Sequence, residues 1–302
     1  MRMHSKIFCL LFACVLVCAG SFAALYYVFG LSVVEQAAIA LEQKQIEIEF
    51  ALDQSPLKED PTSKPSYQEL PAKQQEVYRM LYQASWLHRD TAQVSGTSAD
   101  EMWEVFTRLH YDSPELFDVR DELDTASTTT RTLSTNTVVE AGFSYLADRE
   151  ATSLMRERMA RSIALAMEAI DGAGDERAKA TLLHDWLCEQ AMYGIGGSEE
   201  LAHSAYGALC EGQAVCEGYA LAYGLLCNKA GLSSRVIVGH LESTDDPTIG
   251  HAWNAVTCDG VDLYVDSTTN DGRVVSHKYL LRDADFMNRE GYIPYENNLP
   301  TL

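Results

Sequence analysis

The chain has 302 residues, 47% of them hydrophobic and 22% charged, with 44 acidic against 23 basic side chains and a net charge of −21. Such an excess of carboxylates excludes nucleic acid as a partner, because phosphate binding recruits Lys and Arg. An acidic surface serves solubility first and is also compatible with cationic substrates.

The first residues, Met1 to Lys6, carry Arg2 and Lys6, and Ile7 to Val34 then runs without a charge. A spanning helix needs about 20 apolar residues, so residues 1–34 are expected to form a signal-anchor. A cleaved signal peptide, giving a secreted protein, is the alternative. Against it, Leu25-Tyr26-Tyr27-Val28-Phe29 prolongs the apolar run beyond the small-residue sites around Gly20 and Ala23. Basic residues only on the N-terminal side put that end in the cytoplasm and the remaining chain outside, as a single-pass protein of the cell membrane.

Val33 to Leu52 reads as a juxtamembrane helix, and Pro56, Pro61, Pro65 and Pro71 mark a linker, so residues 35–65 are expected to connect rather than to fold. Residues 66–170 are expected to be a mostly helical region with short strands. Gln74 to Leu87 has helical spacing, and Ser98-Ala99-Asp100-Glu101 has the capping-box pattern ahead of Met102 to His110. Thr128 to Tyr145 reads as one or two strands, and Arg149 to Ile170 as a helix. Residues 171–302 form the expected core: a helix over Asp175 to Tyr193, another over Glu217 to Ala230, then a run of strands. That order fits an α+β fold better than an alternating parallel sheet.

Eight cysteines are present, of which Cys9, Cys14 and Cys18 lie in the apolar segment. Five remain, and an odd number in an oxidising compartment points to one reserved thiol. Cys188, Cys210, Cys227 and Cys258 either pair as two disulfides, in any of three ways, or stay as buried thiols.

The reserved thiol is Cys216, in Ala214-Val215-Cys216-Glu217-Gly218-Tyr219-Ala220. A cysteine at a helix N-terminus has its thiolate favoured by unpaired N–H groups and the helix dipole. An imidazole must take its proton, and a carboxylate must orient that imidazole. Gly250-His251-Ala252-Trp253-Asn254 and Leu263-Tyr264-Val265-Asp266-Ser267-Thr268 offer both. They flank Asp259-Gly260, a two-residue hairpin signal. Pairing Cys258 with Val261 sets Asp266 opposite Trp253 and makes it a diagonal neighbour of His251 on one face, with Asn254 on the other. A slip of one residue would reverse that choice. Zinc ligation by the same three residue types lacks a C-x-x-C or H-x-x-x-H companion.

These three segments, in this order and with these separations, resemble the transglutaminase-like superfamily of papain-related thiol enzymes, over about Tyr206 to Gly272. The resemblance implies an α+β core with the nucleophile helix packed on an antiparallel sheet. It makes Cys216 the nucleophile, His251 the general base and acid, and Asp266 its orienting carboxylate. Besides the Cys216 amide, Gln213 or Tyr206 is expected to supply an oxyanion donor. The chain departs from the family in lacking a Trp after Asp266-Ser267-Thr268.

The expected function is extracytoplasmic thiol-dependent acyl transfer on amide bonds, as a peptidase or a transglutaminase-like enzyme acting on protein, peptide or cell-envelope material. A non-catalytic envelope-binding or scaffolding module with the same fold is the alternative. No cofactor or metal is expected. Glu242 to Pro247 lacks the D-x-D-x-D-G spacing of a calcium loop.

Overall fold

The computed structural model describes residues 31–131, 135–242 and 250–295. The expected anchor thus lies almost wholly outside the described residues, and the Glu242–Pro247 loop largely so. Among the described residues, no helix is long and apolar enough to cross a membrane.

Helix α1 (Leu31–Leu52) forms where the sequence predicts it, but it is not a free stalk. Ile39, Ile46 and Phe50 are buried, and α1 packs on α2 (Ala72–Trp86) and β1 (Thr91–Ser95). Ion pairs Glu47–Arg79 and Glu49–Arg89 add to that seam. The proline-bearing stretch is pinned as well. Lys64 is buried between Glu59 at 2.5 Å and Glu115 at 2.7 Å, and Glu59 also reaches Lys229. Residues 35–65 are therefore part of the folded body, a correction to the linker expectation. Their charges have partners remote in sequence, which local composition does not display.

Helix α3 (Ala99–Asp112) starts at the expected capping box: Glu101 N–H donates to Ser98 Oγ at 3.2 Å, and Ser98 N–H donates to Glu101 Oε2 at 3.0 Å. Beyond it, the region 66–170 departs from a mostly helical expectation. β2 (Val119–Arg131) and β3 (Thr135–Tyr145) are long strands, and with β1 they form an antiparallel sheet of order β1-β3-β2. A register shift between Val119 and Leu123 breaks the two-residue alternation, and Arg120, Asp121 and Glu122 fill the irregular stretch. That combination conceals the start of the strand in the sequence, whose pattern shows only its end, from Thr128. The sheet, α1, α2 and α3 share one core containing Tyr78, Tyr82, Trp86, Phe106 and Val139.

The second core gathers α4 (Arg149–Ala169), α5 (Glu176–Gln190) and described residues between Ala191 and Leu280. A short parallel pair, β4 (Met192–Tyr193) and β5 (Gln213–Ala214), leads into α6 (Cys216–Lys229). Strands β6 (Ser234–Leu241), β7 (Gly250–Cys258), β8 (Val261–Val265) and β9 (Tyr292–Pro294) form an antiparallel sheet of order β8-β7-β6-β9. Val236, Val238, Ala252 and Val256 belong to the core shared with α6. Ile237, Trp253 and Ala255 pack with Met287 and Tyr292. The expected α+β core, a helix carrying Cys216 on an antiparallel sheet, is what forms. Cys188, Cys210, Cys216, Cys227 and Cys258 are all free thiols.

Candidate active site

Asp259 and Gly260 adopt φ of 55° and 76°, the left-handed pair that a two-residue primed turn demands. The turn fixes the register at Cys258↔Val261, and pairing continues to Asn254↔Val265. There the strand ends. Asp266 leaves the ladder and caps the short helix α7 (Ser267–Asn270), its Oδ1 accepting from Thr269 N–H at 3.0 Å.

This departure brings its other oxygen to His251, with Nε2 to Oδ2 at 2.8 Å. The carboxylate is completely buried and also accepts from Thr269 Oγ1 at 2.6 Å and Tyr292 Oη at 2.5 Å. Burial alone would favour the neutral acid. The bonds from His251, Thr269 and Tyr292 outweigh it and hold Asp266 below the ordinary carboxylate range.

Cys216 is the first residue of α6, after Val215 in extended conformation with no capping side chain. The helix starts against the backbone of the preceding segment, which only a glycine permits two residues on. A Cβ at Gly218 would lie 2.5 Å from the Ala202 carbonyl oxygen. The Cys216 thiol is close enough to the His251 ring to act on its protonation. Nε2 is engaged by Asp266, which leaves Nδ1 as the ring nitrogen without a carboxylate partner. Burial disfavours charge on His251, but the bonds to Asp266 and Cys216 and their negative charges prevail and push it up to about 10. The arrangement favours the cationic imidazole. Trp253 and Tyr292 wall the imidazole, with ring centroids 6.0 Å and 5.9 Å from it.

Asn254 points elsewhere: its Nδ2 donates to Ala220 O of α6 at 2.9 Å, and it is completely buried. Of the two expected oxyanion donors, Gln213 stands in β5, its side chain near Gly196. Tyr206 is stacked on Phe117 at 4.8 Å, and its hydroxyl accepts from Arg158 Nη1 at 3.3 Å. The ring is buried in the core.

Several neighbours of the site have no counterpart in the sequence reading. Thr269 was legible as the fourth residue of an Asp-initiated cap; Tyr292 arrives from β9 and had no local signal. Glu217, next to Cys216, accepts from His110 Nε2 at 3.0 Å and His203 Nδ1 at 2.8 Å. Burial would raise its pKa, but these two bonds hold it down to about 2. Both histidines are raised in turn by the carboxylate.

Among the described residues, one group has metal-ligand geometry: His184 Nδ1, Asp185 Oδ1 and His277 Nε2 lie within 4.8 Å of one another. Asn270 Oδ1 accepts from Tyr279 N–H, so its Nδ2 faces His184 Nε2 at 3.0 Å. This assigns the His184 proton to Nδ1, directed at Asp185, and leaves that nitrogen without a lone pair for a cation.

Residues 163–266 match the family model of the transglutaminase-like superfamily. A comparison with curated proteins finds no match. Among solved structures, the chain is similar to a TGase at 14% identity and a TM-score of 0.35, over 66% of this chain and 55% of that one. It is also similar to a candidate cysteine protease from Cytophaga hutchinsonii at 14% identity and a TM-score of 0.34, over 58% of this chain and 69% of that one. A third is a candidate protease from Parabacteroides distasonis, with 15% identity and a TM-score of 0.28, over 47% and 35%. The chain thus spans about half the length of the first of these.

Proposed function

From a chain whose residues 163–266 belong to the transglutaminase-like superfamily, we propose a cysteine-nucleophile acyl-transfer enzyme in which Cys216, His251 and Asp266 act as a triad. The observation that carries the reading is an imidazole bonded to a buried carboxylate at 2.8 Å, in a chain whose family-matched segment also sets Cys216 at a helix start.

The Cys216 thiolate attacks an amide carbonyl, and the carbonyl π pair moves onto oxygen, where the Cys216 N–H stabilises it. As the C–N bond breaks, the imidazolium of His251 delivers its proton to the departing amine, leaving a thioester. Water or a second amine then attacks the thioester, its proton passing to His251. The C–S bond breaks and the thiolate returns. Asp266 holds the ring in the tautomer that keeps Nδ1 toward sulfur and stabilises its cationic form. Hydrolysis is the simpler resolution, since no amine site is identified by the sequence.

We place the enzyme on the outer side of a membrane, held by residues 1–34, with protein, peptide or envelope material as substrate. The support is the uncharged run from Ile7 to Val34 and the basic residues before it. Limiting iodoacetamide near neutral pH, read by mass spectrometry, tests the chemistry. Fast, selective modification of Cys216 is expected. Slow, uniform labelling of all thiols would favour a fold kept for binding without turnover.

A further inference from the structure

A cavity of about 300 Å³ lies beside the nucleophile helix, between α3, the start of β2 and the segment around His203. Its volume is at the small end for ligand sites and matches one side chain better than an extended ligand. Phe106, Leu109, Leu116 and Leu221 supply apolar wall. The polar lining is unusual in its balance.

Arg120, the only Lys or Arg among the lining residues, is paired with Glu200 at 2.7 Å. His110 and His203 are both spent on Glu217. Asp121 and Glu199 remain, both exposed at the lining. With both histidines protonated, the lining groups sum to a net negative charge; with both neutral, the sum is more negative still. The cavity also adjoins the chemistry: Glu217, in its lining, follows Cys216 directly at the start of α6.

We infer that this cavity is a specificity subsite for a substrate side chain with an apolar body and a cationic tip, of the lysine or arginine kind. The aliphatic stem lies along Phe106, Leu109, Leu116 and Leu221, and the cation is left at the acidic lining, where partial solvation lowers its desolvation cost. An anionic side chain meets like charge at the same place. The inference rests on the acyl-transfer reading only in naming the occupant as part of a substrate.

Binding separates the two. The full-length chain carrying Cys216→Ala is titrated with N-acetyl-lysine methylamide and with its norleucine and glutamate counterparts, following the ring resonances of His110 and His203 by NMR. The lysine probe is expected to shift both rings and to bind at least fivefold tighter than norleucine, which has a similar body without the charge. Asp121→Asn with Glu199→Gln, at exposed positions where folding is not at stake, is expected to erase that preference. Equal or tighter binding of norleucine, preference for glutamate, or rings that respond to none of the probes would overturn the subsite. Because Cys216 is absent from this measurement, its failure leaves the thiol chemistry standing. Conversely, an unreactive Cys216 in the wild-type chain would sink the acyl-transfer reading while the binding result stood.

Discussion

His251 Nε2 meets Asp266 Oδ2 at 2.8 Å although the two residues share no backbone pair, because the ladder ends at Asn254↔Val265 and Asp266 turns out of it to cap α7. One carboxylate therefore performs two tasks. Oδ1 starts a helix while Oδ2 holds an imidazole, and the helix in turn fixes where Oδ2 can be.

Asp266→Asn should accordingly leave the fold in place while lowering Cys216 reactivity by about 100-fold or more, since an amide favours the wrong imidazole tautomer and no longer supports the cation. Alkylation rates near neutral pH check this, with circular dichroism reporting the fold. A variant within a fewfold of wild type would remove Asp266 from the triad.

The pH profile carries a definite sign. His251 has its folded pKa raised from an ordinary 6.5 to about 10, so the stability it contributes is fully present below about 6.5 and is lost as pH rises through about 10. Asp266 is depressed, so its contribution is present above its ordinary value and is lost on acidification. Urea midpoints of the wild type should fall between about pH 7 and pH 10.5, and His251→Ala should flatten that fall.

Asn254→Ala separates two readings of the hairpin. It removes the bond to Ala220 O from a buried site, a loss of about 1–2 kcal/mol, yet should leave Cys216 alkylation near wild type. Loss of reactivity equal to that of His251→Ala would make Asn254 the orienting group instead.

Gly218→Ala should be damaging without touching any reacting atom. Its new Cβ would meet Ala202 O at 2.5 Å, and the helix start has to shift, carrying Cys216 with it. A stability loss of about 1–3 kcal/mol and slower Cys216 labelling are expected. Unchanged labelling would show that the helix start is not what positions the thiol.

At the other end, Ile46→Ala should cost about 2–5 kcal/mol in urea unfolding, since Ile46 is almost completely buried among α1, α2 and β1. By the same contacts, a chain beginning at Ser66 should be far less stable than one beginning at Leu31. Equal midpoints for the two would return α1 to the status of a linker helix.

The hairpin register, the helix beginning at Cys216 and the meeting of His251 with Asp266 were all determined by the sequence, because each follows from local rules. Asp259-Gly260 specifies one turn, the two-residue strand period then assigns faces, and the helical run from Glu217 ends near Ala230, as expected. The start of the second strand of the N-terminal sheet and the packing of residues 35–65 were not determined this way. An irregular register between Val119 and Leu123 hides the start of β2, and a lysine such as Lys64 has partners at Glu59 and Glu115 only once the chain has folded. The same holds at the site itself. Tyr292 closes on Asp266 from a strand 26 residues away, and His110 reaches Glu217 across 107 residues. Such pairs are chosen by burial, which leaves a polar group no water and so requires a partner from whichever element packing brings near; that choice is made only by the tertiary structure.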